Sequence, residues 1–425
     1  MIIGIDASRA NREHKTGTEW YSYYLIKQLA QIDSKNQYIL YSDKPLNKGL
    51  SDLLSTFADD NLVEPKFDKY GYQIIKSPHN NFKAKILRWP FSYLWTLGRF
   101  SLEMMFRRPD VLFVPAHTIP LIHPKRTITT IHDIAFMRTD NIYQSEVSLV
   151  QNSAIFKKIS GFLVKIITLG RYSLSNLDYL KWSTIFALQA AKKIITVSNF
   201  TKSEIIDVYG TKDKKLKVIY NGYNNDAYKL INDKEKINEI LKKYGIKGKY
   251  FLYVGRLEKK KNTARLVEAF AILKETYPEI DYKLILIGDA SYGYDEIKYL
   301  IDEYGLEDKV IMLGWVKEAD LPYIHNGASA FIFPTLYEGF GIPVIQALAC
   351  GLPTAVSDIK VMKEICHDSV VYFNPYSKDD IACAMYNIAV NNESRHDLLE
   401  KGFKRAKDFS WRKCAEETLR EIEKL

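Results

Sequence analysis

A short basic segment in the second half of the chain could bind an anion. Residues 255–262 follow an apolar run and carry Arg256 and Lys261 just before a helical pattern. A guanidinium, an ammonium and the unpaired amides of a helix start would together hold a phosphate. An exposed basic loop has the same composition, so this segment alone leaves both interpretations open.

A second segment, residues 333–353, has a more specific pattern. The residues in it that could meet a ligand are Glu338, Gly339, Phe340, Gly341, Ile342 and Gln346, with Pro343 among them in sequence. The glycines permit a tight turn, and Pro343 suits the first position of a helix. We expect the amides of residues 341–344 to be free for a phosphate. A carboxylate beside a phosphate is unfavourable, so Glu338 fits sugar hydroxyls better.

Short, nearly all-apolar strands alternating with helical patterns must position these segments. Such strands are typical of parallel sheets covered on both faces. We predict them at 2–6, 38–41, 111–114, 127–131, 193–197 and 217–220, and then at 250–254, 283–287, 310–313, 330–333, 354–356 and 370–373. The fold class is therefore α/β, with two doubly wound Rossmann-like domains facing across a cleft. The predicted boundaries are 1–222 and 223–407, with 408–425 as a C-terminal helix packing back towards the first domain.

Composition narrows the class of protein. The chain has 425 residues, 47% of them hydrophobic and 26% charged, which is ordinary for packed domains. The four cysteines form no close pair, which argues against a disulfide framework or zinc site and predicts a reducing, cytoplasmic compartment. They are Cys350, Cys366, Cys383 and Cys414. We expect no signal peptide, no membrane-spanning helix and no metal site.

The motifs of the two halves resemble those of a known enzyme family. Residues 338–346 resemble the Glu-x7-Glu signature of retaining glycosyltransferases of family 4, which have the GT-B fold. Further matches occur in the family's order, at residues 16–21 (glycine loop), 131–133 (His-Asp), 197–202 (serine motif), 218–222, 253–257 and 409–411. The mannosyltransferase-like branch of O-antigen and polysaccharide assembly is the most similar.

This resemblance implies a role for each matching residue. The first domain would bind the acceptor and the second the nucleotide sugar. Arg256 and Lys261 would grip the diphosphate and stabilise the leaving nucleotide without a metal. Glu338 would bind sugar hydroxyls, and residues 339–342 would lie against the sugar and phosphate. In the first domain, Gly17 and Thr18 would approach the donor phosphates, and His132 would orient the sugar or acceptor as a candidate charged helper.

One residue departs from the family pattern. Gln346 stands where the family has the second glutamate, which binds the nucleotide ribose. An amide oxygen still accepts from a hydroxyl, but loss of the charge-assisted part costs about 1 kcal/mol. No cofactor is implied. The expected partners are a GDP- or UDP-sugar and a glycan or polyprenyl-linked acceptor.

The net charge of +9 is interpretable only from where the basic residues lie along the chain. Segments 83–108 and 154–181 interleave basic and aromatic residues, and the second resembles an insertion relative to the family. For the first we favour a helix packed on its domain. For the second, peripheral contact with an anionic membrane at the inner face of the cell membrane and ordinary packing both stay open. No nucleic-acid partner is expected.

Two other functions stay open at this point. One is a sugar-nucleotide epimerase or a phosphorylase of similar architecture, although no pyridoxal-phosphate lysine motif is visible. The other is a non-catalytic protein that uses its basic face to bind membrane or nucleic acid. Ser198 is assigned to a helix start, with Thr201 and Glu204 as a capping box, rather than to the active site.

Overall fold

The computed structural model describes residues 1–46, 49–55, 64–90, 94–138 and 176–425. They form two compact units. Unit 1 consists of Met1–Asn221 with Trp411–Leu425, and unit 2 is Gly222–Ser410. The units change at 221/222 and 410/411, within three residues of the predicted boundaries.

Unit 1 is built on a mostly parallel sheet. Its strands are β1 (Ile2–Asp6), β2 (Gln37–Ser42), β3 (Gln73–Ile74), β4 (Phe82–Ile86), β5 (Val111–Val114), β6 (Thr127–Ile131), β7 (Lys193–Thr196) and β8 (Leu216–Val218). Its helices in the described ranges are α1 (Gly17–Ile32), a π-helix (Thr96–Phe100), α2 (Ser101–Phe106), α3 (Asn176–Ala190) and α4 (Asn199–Tyr209), with short 3-10 turns at Ala135–Met137 and Asp213–Lys215.

The strand order in unit 1, within the described residues, is β3-β4-β2-β1-β5-β6-β7-β8. Only the β3–β4 pair among them is antiparallel. The central strands are buried throughout, as β5 and β6 show, because helices cover both faces. All carboxyl ends of the parallel strands therefore lie along one edge, and all amino ends along the other.

Unit 2 repeats the design with a six-stranded, all-parallel sheet in the order β11-β10-β9-β12-β13-β14. Its strands are β9 (Tyr250–Val254), β10 (Lys283–Ile287), β11 (Val310–Gly314), β12 (Ala330–Phe333), β13 (Thr354–Ser357) and β14 (Val371–Phe373). Its helices are α5 (Lys234–Lys243), α6 (Thr263–Thr276), α7 (Tyr294–Glu303), α8 (Leu321–Gly327), α9 (Ile342–Ala349), α10 (Lys360–Cys366), α11 (Lys378–Val390) and α12 (Asn392–Ala406), with a 3-10 turn at Lys259–Lys261.

The last helix, α13 (Trp411–Glu423), belongs to unit 1. It packs on α1, where the Trp411 ring stacks on Tyr24 with centroids 5.6 Å apart. Asn36 donates a hydrogen bond to the Glu423 carboxylate at 3.4 Å. The chain thus returns to its first unit after completing the second.

All twelve predicted strands are present, but β3 and β4 were missed. β4 occupies the start of segment 83–108, where only a helix was expected. Its sequence alternates lysine with apolar residues, because one face packs inward and the other is exposed. The later part of that segment packs as predicted, with Trp95, Phe100 and Met104 in the core. Of segment 154–181, residues 154–175 lie outside the described residues.

Candidate active site

Three loops of unit 2 are joined at the carboxyl edge of its sheet. The loop after β9 pairs with the loop after β10, since Leu257 N–H donates to Asp289 O at 2.9 Å. It also meets the loop after β12, because Leu336 N–H donates to Lys260 O at 2.9 Å. Asn262 completes the junction by donating from its side chain to Pro334 O at 3.1 Å. The basic segment and the glutamate turn are therefore one structural assembly.

Close packing at this junction requires glycine at position 288. A Cβ placed on Gly288 would lie 2.0 Å from the carbonyl oxygen of Gly255, and Gly288 has φ +144°. The loop after β10 therefore approaches the backbone of the basic loop more closely than any side chain permits. This approach fixes the path of the segment that carries Arg256.

The structure brings Lys261 and Glu338 into direct contact. The Lys261 ammonium donates to Glu338 Oε1, and both side chains are largely buried, at 14% and 12% exposure. The same ammonium lies 5.8 Å from the centroid of the Phe333 ring. Partial burial strengthens such a pair relative to one in water. The cation and the carboxylate, predicted for different parts of one ligand, are neighbours.

Arg256 lies at the same edge but makes other contacts. Its side chain is half exposed and donates to Ser291 Oγ at 2.9 Å. A longer ion pair of 3.5 Å joins it to Glu258. Surface pairs of this kind are weak, so the guanidinium can exchange them for a bound anion.

The start of α9 differs in detail from the prediction. Ile342 is the first helical residue and Pro343 the second, because Gly341 caps the helix with φ 99°. The Val344 amide, expected to be free, donates to Gly341 O at 3.0 Å. Pro343 has no N–H. Among the described residues, the amides of Gly341 and Ile342 have no hydrogen-bond partner, so two donors rather than four remain at this helix end.

The other predicted residues near α9 have distinct environments. The Phe340 ring is buried and packs edge-on against Phe409, 5.5 Å between centroids, so only its backbone can meet a ligand. The Gln346 side chain is half-buried one turn into α9, and within the described part of the chain its amide has no partner. It is therefore available to a ligand hydroxyl.

In unit 1, Gly17 and Thr18 begin α1. Thr16 caps this helix and forms a capping box with Glu19. Glu19 is buried and pairs with Arg9 at 3.2 Å. A Cβ at Gly17 would meet nothing within 4 Å, so the helix start is open on that side. The Thr-x-x-Glu spacing at 16–19 was a usable signal that the sequence analysis missed.

His132 follows β6 directly. Its Nε2 lies 3.0 Å from Pro115 O, and because a carbonyl only accepts, Nε2 carries the proton. Nδ1 has no partner among the described residues and is left as an acceptor. Burial lowers the pKa of His132, outweighing the opposing effect of Asp133. Burial disfavours the imidazolium, which weighs against a charged form, and the role of His132 stays a prediction.

A second histidine at this edge was missed. His117 follows β5 as His132 follows β6, and burial, followed by the charge of Arg9, lowers its pKa to about 4. Its Nε2 is buried without a hydrogen-bond partner among the described residues. Strand positions alone place His117 at the carboxyl edge and could have found it, whereas His132 was selected through the family resemblance.

Ser198 lies at a helix start as predicted, but the capping box was placed three residues too late. Ser198 itself is the N-cap of α4, and its Oγ accepts from Thr201 N–H at 3.0 Å. Glu204 instead binds Arg138 at 2.8 Å. The conclusion that these residues serve structure is unchanged.

Within the described ranges, no three His, Cys, Asp or Glu side chains gather as a metal site would require. No helix there is long and apolar enough to cross a membrane.

Comparison with known proteins agrees with the motifs. Residues 16–227 match the family model "Glycosyltransferase Family 4", and residues 233–405 match "Glycosyl transferases group 1". O-antigen chain mannosyltransferase B of Escherichia coli is 28% identical over 74% of this chain and 81% of its own length. O-antigen chain mannosyltransferase RfbU of Salmonella typhimurium is also 28% identical, over 76% and 78%.

Among solved structures, Anabaena HepE in complex with UDP and glucose superposes with a TM-score of 0.64 at 16% identity, over 100% of this chain and 99% of that one. This likeness concerns the fold, two Rossmann-like α/β domains. The two matched models together span most of the chain, and the basic loop and the glutamate turn lie inside the second. The chain belongs to the GT-B superfamily of glycosyltransferases, with a family 4 domain followed by a group 1 domain.

Proposed function

We propose that this glycosyltransferase is a retaining hexosyltransferase that moves mannose from a nucleoside-diphosphate sugar to a glycan or polyprenyl-linked acceptor, without a metal ion. The pairing of Lys261 with Glu338 beside the open amides of Gly341 and Ile342 carries the proposal. It puts a cation for phosphate, a carboxylate for hydroxyls and two N–H donors at one edge. The names of the two relatives, both O-antigen mannosyltransferases, support mannose.

The proposed chemistry follows from these groups. As the bond from the anomeric carbon to the phosphate oxygen breaks, charge builds on the diphosphate, and Lys261 and Arg256 stabilise it. The acceptor oxygen then bonds to the anomeric carbon from the same face, and its proton passes to the leaving phosphate. Glu338 holds donor hydroxyls through charge-assisted hydrogen bonds.

Unit 1 is proposed to bind the acceptor. The neutral His132 presents Nδ1 as a hydrogen-bond acceptor while Pro115 O fixes the ring through Nε2. A neutral imidazole suits an uncharged hydroxyl, whereas an imidazolium would favour an anion.

Binding and product analysis test the proposal. GDP, UDP and their hexose conjugates would be screened by thermal shift, and we expect GDP-mannose to stabilise the protein most. NMR of the product should show the donor's α configuration, and turnover should survive EDTA. Stabilisation by no nucleotide sugar would reject the donor assignment. A β product or an EDTA-sensitive rate would reject the stereochemistry or the metal independence separately.

A further inference from the structure

A lysine-rich cavity lies at the amino edge of the unit 1 sheet, away from the carboxyl edge that carries His132. Its volume is about 820 Å³, and seven lysines line it against one acidic side chain, Glu421. The lysines come from the segments that precede β6, β7 and β8, from the first residue of β7 and from the residue after α13. A volume of this order fits a small-molecule ligand.

Three of these lysines make contacts that stabilise the fold. Amino edges collect the carboxyl ends of helices, whose carbonyls attract cations. Lys215 serves this purpose at the end of α3, donating to Gln189 O at 2.9 Å. Lys193 donates to Lys214 O at 3.0 Å and pairs with Glu421 at 3.6 Å. Lys424 pairs with Glu421 at 2.8 Å.

Contacts of this kind do not account for the other four lysines that line the cavity. Within the described ranges, the ammonium groups of Lys125, Lys192, Lys212 and Lys214 have no partner. The nearest other carboxylate in sequence, Asp213, pairs with Lys202 at 2.7 Å. Among the described residues, therefore, acidic side chains do not pair with this excess of positive charge around the cavity.

The charges in the cavity are close enough to affect one another. Burial and then the charge of Lys192 lower the pKa of Lys215. Burial of Glu421 acts to raise its pKa, but Lys424, Lys193 and Lys217 outweigh this and hold it low. Like charges crowded at a concave surface focus a positive potential, which an anion of high charge density relieves.

We propose that this cavity is a binding site for a phosphate-bearing anion, distinct from the donor site of unit 2. Its lysines act as point charges, which suit phosphate oxygens without requiring a fixed orientation. Aliphatic side chains such as Ile185 and Leu188 also line it, so the ligand can carry an apolar part. An anionic lipid headgroup and a free polyphosphate share this chemistry.

The test compares two charge-matched triple variants of the full chain. The cavity variant is Lys192→Gln, Lys212→Gln and Lys214→Gln. The control, Lys234→Gln, Lys242→Gln and Lys247→Gln, removes three exposed lysines from unit 2. Both change the net charge equally, so a general charge effect would appear in both.

Two probes distinguish the source of the phosphate. Inorganic triphosphate would be titrated by calorimetry, and vesicles of phosphatidylglycerol in phosphatidylcholine by co-sedimentation. We expect the cavity variant to bind at least one probe about tenfold or more weakly, with the control unchanged. Loss with triphosphate indicates a soluble ligand, and loss with vesicles alone indicates a lipid headgroup. A Lys261→Met variant must retain this binding, which separates it from the donor site.

Equal binding by wild type, cavity variant and control would overturn the proposal, as would binding of neither probe. The outcome is independent of the proposed transferase reaction. Turnover on a soluble acceptor should be unchanged in the cavity variant, since none of its residues lies at the carboxyl edge of a sheet.

Discussion

Unit 1 and unit 2 place polar residues at the carboxyl edges of similar sheets, but the electrostatics differ. Unit 2 offers a partly buried ion pair, Lys261 with Glu338, and an exchangeable Arg256. Unit 1 offers two histidines, His117 and His132, whose pKa values burial lowers. Unit 2 therefore presents a cation in direct contact with a carboxylate, whereas unit 1 presents two buried histidines beside the Arg9–Glu19 ion pair. Burial without a direct ion-pair partner is what lowers the pKa of the histidines.

The largest effect is expected when the Glu338 carboxylate of unit 2 is removed. Glu338→Ala should lower kcat for transfer about 100- to 1000-fold, since it removes interactions that strengthen in the transition state. Steady-state kinetics with GDP-mannose and circular dichroism would separate activity from folding. As a control, Glu296→Ala breaks an exposed pair with Lys259 on the neighbouring loop. Near-normal turnover by Glu338→Ala would remove this carboxylate from the reaction.

The second test concerns glycine at each edge. Gly288→Ala drives a Cβ into the Gly255 carbonyl and should lower the free energy of unfolding by about 3 kcal/mol. Gly17→Ala meets open space and should change it by less than about 0.5 kcal/mol. Urea denaturation measures both. If both variants lost a comparable free energy of unfolding, the backbone around Gly288 would be no more closely packed than the start of α1.

The third test uses acid to probe the protonation of His117 in unit 1. The unfolded His117 titrates near 6.5 and the folded one near 4, so the unfolded state binds more protons between these values. Stability from this group is complete above pH 6.5 and falls as the pH drops. The expected loss between pH 7 and pH 5 is about 2 kcal/mol.

His117→Gln should remove that share of the acid loss, measured as the difference between urea unfolding at the two pH values. His325, buried in unit 2 with a pKa also lowered to about 4 by burial, provides the matched variant His325→Gln. An unchanged pH dependence in His117→Gln would show that His117 is not a neutral buried group.

The strands and the pairing of functional segments could be predicted from the sequence because both follow local patterns. Apolar runs identified twelve strands but not β4, whose lysines alternate with apolar residues. The rule that ligands gather at carboxyl ends selected Arg256 and Glu338, and the family resemblance selected His132. Charge states could not be predicted, because burial of His132 depends on residues distant in sequence. The bond from Val344 N–H to Gly341 O also escaped prediction, since it depends on where α9 begins to within one residue.

The smallest expected effect lies at Gln346, the point where unit 2 is less charged than its family pattern. Gln346→Glu restores a carboxylate on α9 and should tighten GDP-mannose binding by about 1 kcal/mol, roughly fivefold, if it meets the ribose hydroxyls. Calorimetry with GDP-mannose measures this, and Gln346→Met, which removes the polar group while keeping the length, should weaken it. Tighter binding by Gln346→Glu and weaker binding by Gln346→Met would show that the side chain at position 346 makes a polar contact with the ribose hydroxyls. If Gln346→Glu weakened binding instead, the carboxylate would be facing the diphosphate, and the glutamine would be the residue that suits this site.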